Sequence, residues 1–219
     1  GVISVADTKF TDAAGNTNTD SGDDNNTKTI TVDTVLPTLV SAVTGDSNSD
    51  GTVDRLILTF SEQVDLTSVD NNNFTLTESA GGSSLAISGS YSSSDQTTIT
   101  LTLTGVTINN TSLTISPDYD NATGTIIDNA GNEMSFSETV SGTDGAAPVF
   151  SSIIPTENSS INVGDVGYRL SETIANGSIT FRRTGGSSDG SSPHVVSLSG
   201  LELSSGVRAS AALVSAPTL

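Results

Sequence analysis

Apolar residues in this chain recur at every second position, with threonine between them. "RLILTF" (55–60) sets Leu56, Leu58 and Phe60 on one face, and "NFTLT" (73–77) does the same with Phe74 and Leu76. "TTITLTL" (97–103) aligns Ile99, Leu101 and Leu103, and "SLTIS" (112–116) aligns Leu113 and Ile115. A period of two predicts strands with one buried face. Threonine is β-branched and polar, so it suits the half-exposed face. Clusters of Gly, Asn, Asp and Ser separate these runs and predict turns. There is no stripe at helical spacing. The expectation is an all-β chain of antiparallel sandwiches, with about seven strands in about 110 residues.

Internal repeats set the frame. "DAAGN" (12–16) returns as "DNAGN" (128–132), and "DTVLPTLVSAV" (33–43) returns loosely as "DGAAPVFSSII" (144–154). "LTFSEQV" (58–64) returns as "YRLSETI" (168–174). These repeats predict tandem modules near the usual domain size. Residues 1–33 are then the C-terminal part of a first module, 34–143 a complete one, and 144–219 the N-terminal part of a third. The Pro-bearing junctions "DTVLPT" and "DGAAPV" predict short, stiff links. The fold class expected is a tandem of immunoglobulin-like antiparallel β-sandwich modules, one complete and two partial. With no Cys and no Trp, each core must be aliphatic with a few Phe.

Composition narrows the partners. Hydrophobic residues make up 33 % and charged residues 15 %, with 25 acids against 7 bases and a net charge of −18. Phosphate recognition needs clustered Lys and Arg, so a nucleic-acid partner is not expected. An anionic membrane surface is disfavoured for the same reason, and no apolar run is long enough for membrane insertion. Thiolate metal sites and disulfides are excluded by the lack of Cys. The chain has no initiator Met and reads as a piece of something longer.

"DTVLPTLVSA", "LTFSEQVD" and "IIDNAGNEM" together resemble the bacterial Ig-like modules that repeat in S-layer proteins, large adhesins and extracellular enzymes. The middle module carries all three motifs. The first carries the last of them, and the third carries the first two, with Leu170 where the middle module has Phe60. The resemblance implies an exported bacterial protein, extracellular or held at the cell surface. Its partners would be neighbouring Ig-like modules, with an extracellular protein or glycan ligand elsewhere in the parent. The expected role is a structural or adhesive spacer. The alternative is an accessory carbohydrate- or protein-binding module of a secreted enzyme. Such a module would use an aromatic platform, and the chain has three Tyr and no Trp.

Candidate chemistry centres on calcium. "DSNSDGTVD" (46–54) has the form D-x-N-x-D-G-x-x-D, which matches the first nine positions of an EF-hand-type loop. Asp46, Asn48, Asp50 and Asp54 would offer side-chain oxygens, Thr52 its carbonyl, and Gly51 the sharp turn. Ile57 stands where such a loop places its bidentate Glu. The competing reading is an Asx-rich turn without metal. In immunoglobulin strand order this loop should face the linker containing Asp144. Glu62, Asp65 and Asp128 should gather near Asp33 at the opposite end. Calcium at such joints would neutralise mutual repulsion and stiffen the array. For Asp128 and Asn132 the alternative is turn capping, with Gly131 at positive φ.

No catalytic role is expected. "GSSDG" (186–190) fits G-x-S-x-G with Asp189 and His194 nearby, but a strand-like segment follows it where a nucleophile elbow needs a helix. Arg182 and Arg183 fall on opposite faces of a strand. Sequons at Asn73 and Asn121 carry little weight in a bacterial protein.

Overall fold

The computed structural model describes residues 2–4, 6–19, 27–81, 85–89, 91–121, 124–135, 137–157, 166–182, 190 and 192–208. Near the start, β1 (Val2–Ser4) pairs antiparallel with β2 (Thr27–Thr29). The main body follows as two facing sheets. Its strands in chain order are β3 (Leu39–Gly45), β4 (Arg55–Phe60), β5 (Phe74–Glu78), β6 (Ala86–Ile87), β7 (Ser92–Ser93), β8 (Thr98–Thr104), β9 (Ile115–Asp120), β10 (Ser137–Thr139) and β11 (Gly142–Thr143). One sheet has the order β11-β3-β4-β8-β6, with β7 also on β8; the other is β10-β9-β5.

The alternation expected from the sequence is the alternation found. Leu56, Leu58, Ile99, Leu101 and Ile115 are fully buried, and Phe60, Phe74, Leu103 and Leu113 nearly so. They pack in one cluster with Val53, Val64, Val106, Tyr119, Ile126 and Met134. Phe74 and Tyr119 face each other across the β5–β9 ladder, rings 5.9 Å apart and tilted. The buried Tyr119 hydroxyl accepts from the Ile126 amide at 3.1 Å, which satisfies a polar group that would otherwise be costly to bury.

One ladder departs from the antiparallel expectation. β11 runs parallel to β3, with Gly142 opposite Ala42 and Thr143 opposite Val43. The reason is steric and directional. Gly142 sits where an added Cβ would overlap the backbone of Ile115 in the other sheet. Its amide donates to Ser116 Oγ at 3.1 Å, and Thr143 Oγ1 donates to the Ala42 carbonyl at 3.1 Å. The closing segment thus lies against both sheets and leaves in the direction in which β3 entered. Entry and exit of the chain are at opposite ends of the sandwich.

Beyond Thr143 the strands are β12 (Phe150–Ile154), β13 (Gly167–Leu170), β14 (Ser178–Phe181), β15 (His194–Ser197) and β16 (Gly206–Arg208). They form a sheet β12-β13-β16 and a pair β14-β15. Tyr168, Leu170 and Leu198 make a second, smaller core. The departure at Leu170 has a counterpart across the ladder. Phe150 stands opposite Leu170, whereas Leu39 stands opposite Phe60 in the main sandwich. Aromatic and aliphatic partners have changed sides. Among the described residues no helix is long and apolar enough to cross a membrane.

Gly142→Ala should destabilise the protein by about 1–3 kcal/mol, because backbone and not a flexible side chain blocks the new methyl. Thermal unfolding of the variant beside the parent tests this, and an unchanged midpoint would contradict the close approach.

Candidate functional site at the two ends of the sandwich

At the entry end, Asp33, Glu62 and Asp128 each offer a carboxylate oxygen, and these lie within 4.8 Å of one another. Asp33 lies in the lead-in before Pro37, and its Oδ1 accepts from the Val35 amide at 3.0 Å. Glu62 stands two residues past the end of β4 at Phe60. Asp128 is placed by a bridge between its backbone and Val64. An open depression lined by these three, Gln63, Thr97, Asn129 and Ala130 surrounds the group.

The electrostatics are uneven. Asp128 is held below the usual carboxylate range: its burial opposes this, but hydrogen bonds from Asn132 and Ala130 outweigh it. Its Oδ1 accepts from the Ala130 and Asn132 amides, both at 2.8 Å, and its Oδ2 from Asn132 Nδ2 at 2.7 Å. Gly131 supplies the left-handed turn at φ +90°. Asp12 repeats this arrangement with Ala14 and Asn16, so D-x-A-G-N is a structural turn in both places. Burial lifts Glu62 above its ordinary value, and the charges of Asp33 and Asp128 push it the same way. Its Oε1 is buried with no hydrogen-bond partner.

Asp65 does not join this group. Its Oδ1 accepts from Thr67 N and Thr67 Oγ1, both at 2.8 Å, and caps the short 3-10 turn Leu66–Ser68. Strand order placed it with Glu62, in the loop that follows β4. The turn beginning at Leu66 takes its side chain elsewhere.

At the exit end, the 46–54 loop turns its oxygens on itself. Asp46 Oδ2 accepts from Gly51 N at 2.8 Å, Asn48 Oδ1 from Asp50 N at 3.0 Å, and Asp50 Oδ1 from Thr52 N at 2.9 Å. Asp54 Oδ1 accepts from Ser47 N at 2.8 Å, and Asp54 Oδ2 from the Ser47 hydroxyl. Thr52 Oγ1 accepts from Asn109 N at 3.2 Å. Gly51 takes φ +92°, as the turn requires. Among the described residues, Asp46, Asp50 and Asp54 are not gathered as Asp33, Glu62 and Asp128 are. This geometry is that of a chain of Asx turns.

The loop faces the linker that holds Asp144. A Cβ added at Gly51 would lie 3.4 Å from Ser171 Cβ and 3.6 Å from Val149 Cβ, so the turn is seated against both residues. Thr111 and Ser171, both buried, share a hydroxyl–hydroxyl hydrogen bond of 2.7 Å. Ser171 Oγ also accepts from Val149 N at 2.7 Å, while Ser171 N donates to the Val149 carbonyl at 3.0 Å. Gly145 N donates to Thr44 Oγ1 at 3.3 Å. Asp144 Oδ1 accepts from Ala146 N at 3.1 Å. Burial raises the Glu172 carboxyl, a hydrogen bond from Thr111 opposes the rise, and nearby Asp144 adds to it. Asp144 is thus beside Glu172 at this joint and away from the entry-end group.

Ser171 and Glu172 carry the signal "SET" that repeats "SEQ" at 61–63, so the repeat marked their place without revealing the contact. Thr111 in "NNTS" gave no signal. His194 lies in β15 opposite Phe181, and Arg182 is exposed. Arg183 and most of "GSSDG" lie outside the described residues. Asn73 is buried; its Nδ2 donates to Gly124 O at 2.6 Å, so this sequon serves packing.

An all-β, immunoglobulin-like sandwich with entry and exit at opposite ends is what these residues build. Residues 33–141 match the family model of the bacterial Ig-like domain, and this part of the chain belongs to that family. The chain is also similar to the crystal structure of the N-terminal part of the bacterial S-layer protein SbsC, at 16 % identity and a TM-score of 0.38. That similarity covers 69 % of this chain and 36 % of that one. No curated protein matches the chain.

A glutamate whose carboxyl is raised in the folded state lowers stability as pH climbs from its ordinary value of 4.5 through the raised one. Glu62→Gln should therefore unfold at or above the parent's temperature at pH 7 in chelator. The two should converge below pH 4.5. A variant clearly less stable than the parent at pH 7 would show that the crowding of Glu62 has been misjudged.

Proposed function

We propose that the chain is a structural segment of a bacterial surface or secreted protein, in which Ig-like units stack end to end and act as a spacer. The observation that carries this reading is the packed joint of Gly51, Thr111, Val149 and Ser171. Membership of residues 33–141 in the bacterial Ig-like family supports it. So does the parallel closing strand, which sends the chain out at the end opposite its entry. The partners are neighbouring units of the same kind, with any protein or glycan ligand held elsewhere in the parent. The reading assigns no catalysis to these residues.

Calcium is the cofactor this reading takes. A hard divalent cation wants six or more oxygens at close range. Asp33, Glu62 and Asp128 offer three carboxylates at the entry end, and the orphaned Glu62 Oε1 supports a fit there. Asp46 Oδ1 is also buried without a partner, but the other carboxylates of the 46–54 loop are engaged by loop hydrogen bonds and are not gathered on one point as Asp33, Glu62 and Asp128 are, which makes it the weaker host. An ion at the entry end would cancel repulsion among the three acids.

Two measurements test the proposal. Ser171→Ala leaves the Val149 amide and Thr111 hydroxyl without their buried partner, at a cost of about 1–3 kcal/mol. Small-angle scattering of the full chain should then show a broader range of end-to-end distances. An unchanged profile would mean that the joint does not hold the units in line. Calorimetric titration of calcium into the full chain should give heat that Glu62→Gln abolishes and Asp50→Ala preserves. The opposite pattern would move the ion to the loop, and no heat in the parent would remove calcium from the reading.

A further inference from the structure

The joint between the main sandwich and the segment beyond it has a second half-copy within the same chain. Asp144, Val149, Ser171 and Glu172 correspond to Asp33, Thr38, Ser61 and Glu62 in the sequence repeat. The local hydrogen bonds correspond as well. Thr38 N donates to Ser61 Oγ at 2.9 Å and Ser61 N donates to the Thr38 carbonyl at 2.9 Å, as Val149 and Ser171 do with each other. What differs is the cover. Ser171 is 4 % exposed beneath Gly51 and Thr111, while Ser61 is exposed.

The flanking apolar residues differ in the same sense. Ala146 packs against the edge of the preceding sandwich's core. At the corresponding place before Pro37, Val35 is 62 % exposed and its neighbour Leu36 is 47 % exposed. Two large apolar side chains beside a serine preset to share a hydrogen bond are what a docking face looks like before it is covered.

We infer that the face formed by Ser61, Thr38, Val35 and Leu36 is a docking surface for the turn-bearing end of a complete preceding Ig-like unit. The register is the one in which Ser171 receives Gly51 and Thr111. The occupant is an end that carries a tight glycine turn equivalent to 46–54 and a threonine hydroxyl equivalent to Thr111. Among the described residues before Asp33, the Asp12–Asn16 turn is the tight turn that is formed, and Ser61 is left exposed; the occupant inferred is a complete Ig-like unit placed ahead of Asp33. The inference rests on the end-to-end reading above, and it adds the residues by which one unit selects the orientation of the next.

The chain has no cysteine, so engineered disulfides report the contact directly. Hydroxyl oxygens 2.7 Å apart place the two Cβ atoms within reach of a disulfide. The test chain is the full sequence with residues 33–143 duplicated in tandem. It carries Thr111→Cys in the first copy and Ser61→Cys in the second. A sister chain carries Thr111→Cys in the second copy and Ser171→Cys. Mild oxidation should close both pairs to within twofold of each other. Closure of the Thr111–Ser171 pair alone would overturn the docking inference and leave the end-to-end reading standing. Closure of neither pair would overturn both.

Discussion

The structure depends on one short contact, the parallel pairing of Gly142–Thr143 with Ala42–Val43. An antiparallel return would have brought the chain back out at its own entry. The parallel one carries it through. This is open only to a residue without a side chain, because the Ile115 backbone occupies the space a Cβ would need. The β3–β4 hairpin sets Asp33, Ser61 and Glu62 at one end and the 46–54 loop at the other, and the parallel strand delivers Asp144 to the end that holds the loop. The glycine is therefore a choice of direction as much as of packing.

The two ends share a chemical character. Each brings carboxylates together, and each keeps one glutamate oxygen, of Glu62 or Glu172, buried and unpartnered. Such groups resist full ionisation. The difference is that Glu172 is under cover and is bonded by Thr111, while Glu62 is beside an open depression. The same residue in the same motif thus reports whether a neighbour is present.

Much of the sandwich was legible in the sequence. The alternation of Leu56, Leu58 and Phe60, and of Ile99, Leu101 and Leu103, is enforced by the pleat, since a slip of one residue would expose a whole face. The D-x-A-G-N turn was legible for a local reason: its hydrogen bonds run within five residues. The gathering of Asp33, Glu62 and Asp128 followed from strand order. What escaped was set by distant partners. "SGT" at 141–143 has no apolar pattern, so its parallel pairing could not be foreseen. Asp65 was drawn off by a threonine two residues away, a competition of local hydrogen bonds that spacing does not decide. The D-x-N-x-D-G-x-x-D loop shows the converse. Its spacing suits a cation and suits a run of Asx turns equally, because both need alternate oxygens converging around a glycine.

The side-by-side arrangement of β3 and β11 also bears on force. A chain that enters at one end and leaves at the other transmits tension along the long axis of the sandwich. Parallel neighbours pulled from opposite ends slide past each other, so their cross-links are loaded together and not opened one by one. The Thr143–Ala42 hydrogen bond lies across that sliding plane, and the Gly142–Ser116 hydrogen bond and the close seat on Ile115 hold the same segment to the other sheet. Under a pull along that axis, the segment that gives the sandwich its direction would also act as a clamp, because its contacts would have to break together.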